Sequence, residues 1–439
     1  MTKITLLPKD DCCNGWSALL PPRAPKPHLN KDIIADFVVI GAGFAGLAAA
    51  RRLGEKKPEA KIVIVDAQQL GEGASGRNSG FAIDLPHNVG SSLEELSKGK
   101  VNIRLARAGI DSLRNIINEH DIKCDWSEDG KYHTASSQRG VEQILKPTVD
   151  ELERLGEPYH WLDHEETSQR LGTRHFAASV FTPGTVLLNP AALNRGLGGT
   201  LPENVTLYEN TPVLNANFGT SVKIQTEHGS ITAQKAILAV NGLGMKFGYW
   251  KGRLLNFAAH ASITRPLTES EQKTLGSIQP WGSTPANAFS GITMRYTNDR
   301  RILIRQNIHY CPSLRQSDDR RKKIRKEHEK LFHERFSLLK NVSMEHTWTG
   351  FICLSKNSAP GFGKVDENVW SAVCQNAVGV AKGSISGLLS ADIALGEKND
   401  LMADMHSLGT PQRVPPRPFL DVGVRARFAW EKFINRHEA

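Results

Sequence analysis

The fold of this chain is decided by Asp36-Phe-Val-Val-Ile-Gly41-Ala-Gly43-Phe-Ala-Gly46-Leu-Ala-Ala-Ala-Arg-Arg-Leu53, which is followed by Lys61-Ile-Val-Ile-Val-Asp66. The first stretch predicts a buried strand, a glycine turn and an amphipathic helix, and the second predicts another buried strand that ends on an acid. Together they have the pattern of a βαβ unit that binds a dinucleotide. A glycine-rich turn alone would be a weak signal, but here the flanking strand, helix and acid are all present.

Each glycine of the turn has its own expected role. Gly41 permits the tight turn, Gly43 lets the backbone approach a pyrophosphate, and Gly46 lets the helix pack closely on the strand. The phosphates are expected at the start of the helix, where free N–H groups and the helix dipole favour negative charge. Asp66 is expected to accept hydrogen bonds from the ribose hydroxyls.

Composition describes an ordinary globular protein. A length of 439 residues favours two domains, and 39% hydrophobic with 23% charged residues is typical of soluble proteins. No apolar run is long enough to span a membrane, and the first residues show no secretory pattern. Six cysteines without a Cys-x-x-Cys pair predict reduced thiols, a cytoplasmic location and no metal site.

Basic residues are concentrated in Arg320-Arg-Lys-Lys-Ile-Arg-Lys326, within a net charge of +9. The run continues into Glu327, Glu329 and Glu334, so charges of both signs recur at helical spacing. This pattern predicts a solvated helix face, and no nucleic acid partner is expected.

The loop after Asp66 contains a second signal, Gly73-Ala-Ser-Gly-Arg-Asn-Ser79, a run rich in small residues that can wrap a large cofactor. With this run the chain resembles FAD-dependent oxidoreductases of the D-amino-acid oxidase superfamily, on the branch with glycine, sarcosine and gamma-glutamylputrescine oxidases. Further matches to the family extend from about residue 14 to 435. They are Leu188-Asn-Pro190, Tyr208-Glu-Asn-Thr-Pro-Val213, Ala239-Val-Asn241, Trp348-Thr-Gly350, Pro360-Gly-Phe-Gly363 and Gly379-Val-Ala-Lys-Gly-Ser-Ile-Ser-Gly387.

The resemblance implies an α/β (α+β) fold in which a Rossmann-like FAD-binding domain is interleaved with a substrate domain built on an antiparallel sheet with helices. The FAD-binding domain is expected to comprise residues 32–90, 172–250 and 345–400, and the substrate-binding domain residues 91–171 and 251–344. The remaining segments are an N-terminal arm, residues 1–31, and a C-terminal tail with a helix, residues 401–439.

FAD is the cofactor that the resemblance implies. Some relatives attach FAD through a cysteine, but Cys353 lies out of register with it, so non-covalent FAD is expected. The chain departs from the family at Gln375-Asn-Ala377, where relatives usually have several glycines. Expected cofactor contacts are Gly41, Gly43, Phe44, Ala45, Gly46, Asp66, Ala67, Gly73, Ala74, Ser75, Arg77, Asn78, Ser79, Val213, Asn241, Gly379, Val380, Lys382 and Gly383.

The implied reaction is oxidation of the C–N bond of an amino acid or amine. A hydride would pass from the substrate to flavin N5, water would hydrolyse the imine, and dioxygen would reoxidise the flavin and give hydrogen peroxide. The helix that starts near Gly383 is expected to stabilise the reduced flavin through its N-terminus.

Four residues are candidates for catalysis or substrate binding. Lys382 would face the flavin or the substrate, and His87, which follows Asp84 in the loop beside the flavin, could accept a proton. His260 and Arg295 lie on predicted strands of the substrate domain, where an arginine can bind a carboxylate. The competing interpretations are a solvated lysine, a histidine bonded to backbone and a solvated strand arginine.

Other functions remain open from sequence. A dehydrogenase would pass electrons to a quinone or protein acceptor, and a non-catalytic subunit of a larger dehydrogenase would only hold the flavin. A nicotinamide-linked reductase needs a second Gly-x-Gly-x-x-Gly after a strand, or a redox Cys-x-x-Cys. The cluster Gly196-Leu-Gly-Gly199 follows a helical pattern instead and does not qualify.

Overall fold

The computed structural model describes residues 2–9, 11, 13–86, 93–286 and 291–438, and only the backbone of residues 93–96. His87 lies outside the described residues. The strands are β1 Thr2–Lys3, β2 Ile33–Ile40, β3 Ile62–Val65, β4 Phe81–Ala82, β5 Lys131–Ala135, β6 His160–Leu162, β7 Ala178–Thr182, β8 Val186–Leu187, β9 Val205–Tyr208, β10 Asn215–Phe218, β11 Val222–Gln225, β12 Ser230–Leu238, β13 Leu254–Thr264, β14 Trp281–Pro285, β15 Thr293–Tyr296, β16 Ile302–Tyr310, β17 Met344–Ser355, β18 Gly361–Asp366 and β19 Val369–Val373.

Helices connect and cover these strands. They are α1 Gly15–Ala18, α2 Phe44–Lys56, α3 Ala74–Arg77, α4 Leu93–Glu119, α5 Gln138–Gly140, α6 Lys146–Leu155, α7 His164–Leu171, α8 Pro190–Gly199, α9 Glu269–Thr274, α10 Asp318–Arg335, α11 Ala381–Leu395, α12 Leu401–Ser407 and α13 Phe419–Ile434, with a π-helix at Val141–Leu145 and 3₁₀ helices at Asn241–Phe247 and Arg436–Glu438. No helix in the described part of the chain is long and apolar enough to cross a membrane.

The first sheet contains the predicted βαβ unit. Its strand order is β1-β10-β11-β12-β2-β3-β9, and β19 joins β12 to β18. Strands β12, β2, β3 and β9 run parallel to one another, with β9 at the edge of the sheet. Strands β2 and β3 are covered on both faces and are therefore apolar at nearly every position. Val38 and Val63 pack into the hydrophobic core on one face of the sheet. Val39 and Ile64 pack into a second core, under α2, on the other face.

The second sheet has the strand order β17-β13-β16-β15-β14-β5-β7-β6 and is antiparallel except at the β14–β5 pair. Together the two sheets and their helices confirm the expected α/β (α+β) class. Strands β7 and β17 both belong to this second sheet, although the expected boundaries assign residues 178–182 and 345–355 to the FAD-binding domain. The division into domains stays a prediction.

The N-terminal arm is anchored on both sheets. Trp16 lies edge-on against Trp348 of β17, with ring centroids 6.3 Å apart, and its Nε1 donates to the Asn78 carbonyl at 2.7 Å. Further along the arm, Arg23 Nη1 donates to Oε2 of the fully buried Glu209 at 2.9 Å. The arm therefore fastens the loop after β3 to its neighbours.

Candidate functional site

The turn between β2 and α2 has the geometry that its glycines predict. Gly41 adopts a φ of 101°, and a Cβ there would lie 2.6 Å from the Ala239 carbonyl oxygen. A Cβ on Gly46 would lie 1.7 Å from the Gly41 carbonyl oxygen, so only glycine allows α2 to approach the turn. These two backbone roles are confirmed, and the binding of phosphate at this turn stays a prediction.

Asp66 lies directly after β3, beside the turn. Its Oδ2 accepts from the Ala42 N–H at 2.6 Å and its Oδ1 from the Gln68 N–H at 2.8 Å. Burial raises the pKa of this carboxyl to about 6, although the two backbone donors act in the opposite direction. An ionised carboxylate can accept about four hydrogen bonds, so acceptor capacity remains for ribose hydroxyls.

The loop formed by residues 73–79 contacts the start of α2. Ser75 Oγ accepts from the Phe44 N–H at 3.0 Å, and a Cβ on Gly43 would come within 2.7 Å of that hydroxyl. Asn78 shapes the end of the loop, because its Nδ2 donates to the Ser75 carbonyl and its Oδ1 accepts from the Gly80 N–H. The structure thus brings together the two segments that the sequence assigns to the cofactor.

The Arg77 guanidinium is occupied by protein groups. Its Nη2 donates to Asp11 Oδ1 at 2.6 Å, its Nε to the Glu72 carbonyl and its Nη1 to the Thr349 carbonyl at 3.2 Å. The side chain therefore fastens the loop to the arm and to β17, a role that its sequence context did not indicate. A contact between Arg77 and the cofactor stays a prediction.

Helices α2 and α11 lie side by side with their N-termini at the same end. A Cβ on Gly387 would come within 1.9 Å of the Ala45 carbonyl oxygen, and seven residues further along α2 the Arg52 Nε donates to Asp392 Oδ1 at 2.6 Å. Because the two helix dipoles point the same way, their positive ends converge on one region.

Gly379 and Gly383 stand at this shared end, and protein packing does not explain them. A Cβ at either position would meet its nearest neighbour at an ordinary 4.0 or 3.7 Å, in both cases on the Gln375 side chain. Neither glycine has the positive φ that favours glycine. Their small size leaves the backbone open to a ligand, as expected of a cofactor site.

Gln375 is a candidate site residue that the sequence reasoning did not select. Its side chain is 8% exposed, and neither Oε1 nor Nε2 has a hydrogen-bond partner in the structure. Leaving a buried amide unpaired costs about 1–3 kcal/mol per polar group. The side chain lies against Gly379 and Gly383, so a polar ligand there could supply the missing partners. The signal in the sequence was the replacement of family glycines in this loop.

The loop around Gln375 is held in a left-handed conformation without glycine. Cys374, Asn376 and Ala377 have φ values of 58°, 50° and 68°. Asn376 stabilises this path, because its Oδ1 accepts from the Ser355 N–H at 2.8 Å and its Nδ2 donates to the Ser358 carbonyl at 3.0 Å. Asn376 thus helps to hold three residues other than glycine in a conformation that favours glycine.

Ala377→Gly is expected to stabilise the protein by about 1 kcal/mol, because glycine adopts the left-handed conformation without steric cost. Urea unfolding monitored by circular dichroism measures the change. Ala391→Gly in α11 is the matched control, and we expect it to be destabilising, since its backbone is right-handed and helical. Equal destabilisation by both changes would show that the loop is not strained at Ala377.

Lys382 points toward α4. Its Nζ donates to Asn102 Oδ1 at 2.7 Å, and the side chain is 5% exposed. Burial lowers the pKa of this amine to about 8, while the nearby Cys374 acts weakly in the opposite direction. The amine is therefore engaged by a neighbouring helix, an arrangement that argues for a structural role. Contact with flavin or substrate stays a prediction.

Lys382→Met tests that role through the pH dependence of stability. The amine releases its proton near pH 8 when folded and near 10.5 when unfolded. Between these values the unfolded chain binds more protons, so the stability of the wild type should rise with pH by about 2 kcal/mol from pH 7 to 9.5 relative to Lys382→Met. Urea unfolding at both pH values measures the difference, and parallel profiles would exclude it.

His260 lies on the face of the second sheet opposite to that of Trp348. The hydroxyl of Thr349 forms a hydrogen bond with His260 Nδ1 at 2.9 Å. The neighbouring residue Trp348 lies on the opposite face of the sheet, where its indole N–H donates to the Arg77 carbonyl in the loop after β3. The His260 ring is fully buried and stacks on His309, and burial lowers its pKa to about 2. Burial thus favours the neutral imidazole, and a role of His260 in proton transfer stays a prediction.

Arg295 also has a structural setting. Its buried Nη1 donates to the carbonyls of Gly80 at 2.9 Å and Leu188 at 2.6 Å, and burial lowers its pKa to about 10. The guanidinium carbon lies 5.3 Å from the ring of Trp16. These contacts hold the end of the loop after β3, and binding of a substrate carboxylate by Arg295 stays a prediction.

The remaining candidates lie outside the interiors of the long helices and strands. Asp84 is buried and accepts from Thr185 Oγ1 at 3.1 Å and from Arg107 Nη2 at 3.2 Å, just before the segment that contains His87. The others occupy loop, strand-end or helix-start positions, and these are Ala67, Gly73, Ala74, Ser79, Val213, Asn241 and Val380.

Cys353, the cysteine considered for covalent attachment, packs against Cys374 and Leu254. A hydrogen bond with Cys374, together with burial, raises the pKa of the Cys353 thiol well above its ordinary value. A thiol that stays protonated is a poor nucleophile.

Comparison with known proteins agrees with this geometry. The profile of the family described as DAO, FAD dependent oxidoreductase, matches residues 36–393. The chain is 23% identical over 421 residues to "Probable oxidoreductase OrdL" of Haemophilus influenzae, with 94% of each chain covered. It is 25% identical over 392 residues to "Gamma-glutamylputrescine oxidoreductase" of Escherichia coli, with 87% of this chain and 89% of the relative covered.

The fold is similar to that of a solved structure as well. Glycine oxidase from Geobacillus kaustophilus superposes with a TM-score of 0.70 at 18% identity, covering 87% of this chain and 100% of the other. At this low identity the similarity concerns the fold. The family profile covers most of the chain and confirms the resemblance found in the sequence, so this protein belongs to the DAO family of FAD-dependent oxidoreductases.

Proposed function

We propose that this protein is an oxidase that acts on the C–N bond of an amine or amino acid, with non-covalent FAD as cofactor and dioxygen as acceptor. The substrate class is supported by the nearly full-length similarity to a relative named gamma-glutamylputrescine oxidoreductase. The overall products would be an imine, which water hydrolyses, and hydrogen peroxide. When bound, FAD supplies the two-electron oxidation that no amino-acid side chain can perform.

The observation that carries the proposal is the buried, unpaired amide of Gln375 at the common N-terminal end of α2 and α11. An amide offers one donor group and one acceptor. The pyrimidine edge of a flavin offers the complement, an N–H between two carbonyl groups. Gly379 and Gly383 leave the backbone open to a flat ring, so the residues present fit FAD.

Other parts of the site would each bind a different part of FAD. Asp66 would bind the ribose of the adenosine half, and the start of α2, with Ser75 at its first N–H, would hold the pyrophosphate. The N-terminus of α11 would stabilise negative charge on the reduced ring by about 0.3–2 kcal/mol. The buried, protonated thiol of Cys353 supports non-covalent binding.

Spectroscopy of the purified protein tests the proposal. The protein should be yellow, release intact FAD on acid precipitation, and lose its visible absorbance when mixed anaerobically with amines or amino acids that are substrates. Admitting air should restore the absorbance and produce hydrogen peroxide. A panel should include glycine, sarcosine, proline and gamma-glutamylated diamines, because the similarities do not single out one substrate.

Each departure from this result has a distinct meaning. Bleaching by an amine without peroxide in air would replace the oxidase proposal with a dehydrogenase that uses another acceptor. Bleaching only by NADPH or NADH would indicate a reductase. Bound FAD that no amine reduces would indicate a subunit that only holds the flavin.

A further inference from the structure

The outer face of the C-terminal helix α13 carries a cluster of exposed apolar side chains. In the described part of the chain, four of the seven exposed large hydrophobic residues belong to this one helix. They are Phe419, Val422, Trp430 and Phe433, with exposed fractions of 73%, 67%, 57% and 59%. Single exposed hydrophobics are normal on a protein surface, but a cluster of this kind marks an interaction site.

These residues, together with Ala426 and Ala429, form one continuous stripe along the helix, which we call the outer stripe. Successive residues of an α-helix are rotated by about 100° around its axis, and all members of the stripe fall within an arc of about 100°. The opposite side of α13 faces the protein, where the Phe428 ring stacks on Phe257 with centroids 5.1 Å apart. The helix thus has two apolar faces, of which the body of the protein covers one. The outer stripe consists of Phe419, Val422, Ala426, Ala429, Trp430 and Phe433.

Cations border the outer stripe. Arg425 lies on one side of it and Arg427 on the other, both exposed, and Arg436 lies over the Phe433 ring at 4.6 Å. The two acids of the helix are partly buried and already paired, Asp421 with Arg417 and Glu431 with Arg427, so that among the described residues Arg425 and Arg436 carry the unbalanced positive charge at the rim. The rim of the stripe therefore presents mainly positive charge to its surroundings.

We propose that the outer stripe of α13 docks on the surface of a lipid bilayer that contains anionic lipids. An aromatic stripe bordered by arginines matches the boundary between acyl chains and phosphate headgroups, where Trp and Phe enter the interface and cations bind phosphate. The 16-residue helix would lie flat, because its inner side is held by the protein.

A second copy of the chain suits the stripe less well. Pairing two outer stripes would bring Arg425 and Arg436 of both copies together, while the two acids of the helix are partly buried and already paired with Arg417 and Arg427. Anionic headgroups supply the opposite charge instead. This charge complementarity decides between the two occupants.

Co-sedimentation of the full-length FAD-loaded protein with vesicles tests the proposal. We expect binding to vesicles of phosphatidylcholine mixed with phosphatidylglycerol, little binding to phosphatidylcholine alone, and weaker binding at high salt because the charges are screened. Trp430→Ser with Phe433→Ser should reduce the bound fraction at least roughly tenfold, because the aromatic area no longer enters the interface. Arg425→Glu with Arg436→Glu should remove the preference for anionic lipid.

Leu338→Ser is the matched control, because Leu338 is 72% exposed and lies outside α13, so binding should not change. Thermal unfolding verifies that the variants remain folded, as expected for exposed positions. The proposal fails if the wild type ignores anionic vesicles or if the aromatic double variant binds them equally. It also fails if lipid-free protein is a dimer in ultracentrifugation that the double variant dissociates. Amine-dependent bleaching of the flavin should be the same in all variants, so this test is separate from that of the proposed oxidase.

Discussion

Gln375→Leu is expected to weaken FAD binding by about 2 kcal/mol, a roughly 30-fold higher Kd, because each of the two lost buried hydrogen bonds contributes about 1 kcal/mol. Leucine has a similar size, so packing beside Gly379 and Gly383 should be retained. Titration of the apoprotein with FAD, followed by quenching of flavin fluorescence, measures the Kd without any substrate. Gln225→Leu, an exposed position on β11, is the control and should leave the Kd unchanged.

A flavin analogue distinguishes a hydrogen bond from a general effect on the loop. The wild type should bind FAD more tightly than FAD methylated at N3, whereas Gln375→Leu should bind both equally. Equal affinity of wild type and variant for FAD would show that the amide does not contact the ring. In that case its buried polar atoms would have to be satisfied by water.

Arg23→Met is expected to destabilise the folded protein by about 3–5 kcal/mol, because it leaves the fully buried carboxylate of Glu209 without its counter-charge. Glu209 also accepts from the backbone N–H groups of Lys26 and Leu70, so the change should loosen the arm and the loop after β3 together. Urea unfolding measures the loss of stability.

An exposed ion pair provides the control for this prediction. Lys123 and Asp121 pair on the surface with about four-fifths of each side chain exposed, and Lys123→Met should leave stability nearly unchanged. Hydrogen exchange should show faster exchange at Leu70 in Arg23→Met only. A stability loss below 1 kcal/mol, about the value of an exposed pair, would contradict the role of Glu209 as a buried anchor.

The parts of the fold that the sequence predicts well are those with local causes. The turn at Gly41 follows from its own left-handed backbone conformation and the packing at Gly46 from a contact with Gly41 five positions earlier, and the structure reproduces both. The apolar strands β2 and β3 are similarly local, because a parallel strand covered on both faces requires an unbroken apolar run.

The candidate catalytic residues were harder to predict, because side-chain direction depends on distant partners. Lys382 bonds to Asn102, which lies 280 positions earlier in the chain, and no local pattern reveals that α4 passes there. The orientation of the His260 side chain depends on strand register, since a shift by one position would turn its ring to the other face of the sheet. Arg295 has its partners at Gly80 and Leu188, more than 100 positions away.

The loop at 374–377 shows a third case. Its departure from the family's glycines is visible in the sequence. The structure shows left-handed φ values at three residues other than glycine, supported by the side-chain bonds of Asn376. What could not be foreseen was that the same replacement would bury Gln375 without partners.

The anchoring of the N-terminal arm has a consequence for biosynthesis. Arg23 leaves the ribosome 186 positions before its partner Glu209, and Trp16 leaves it even longer before its partner on β17. During translation the arm must therefore stay unbound until these partners have been made. A chaperone that shields the arm, or slow translation past β9, would affect the yield of native protein more than either would in a protein whose contacts join neighbouring segments.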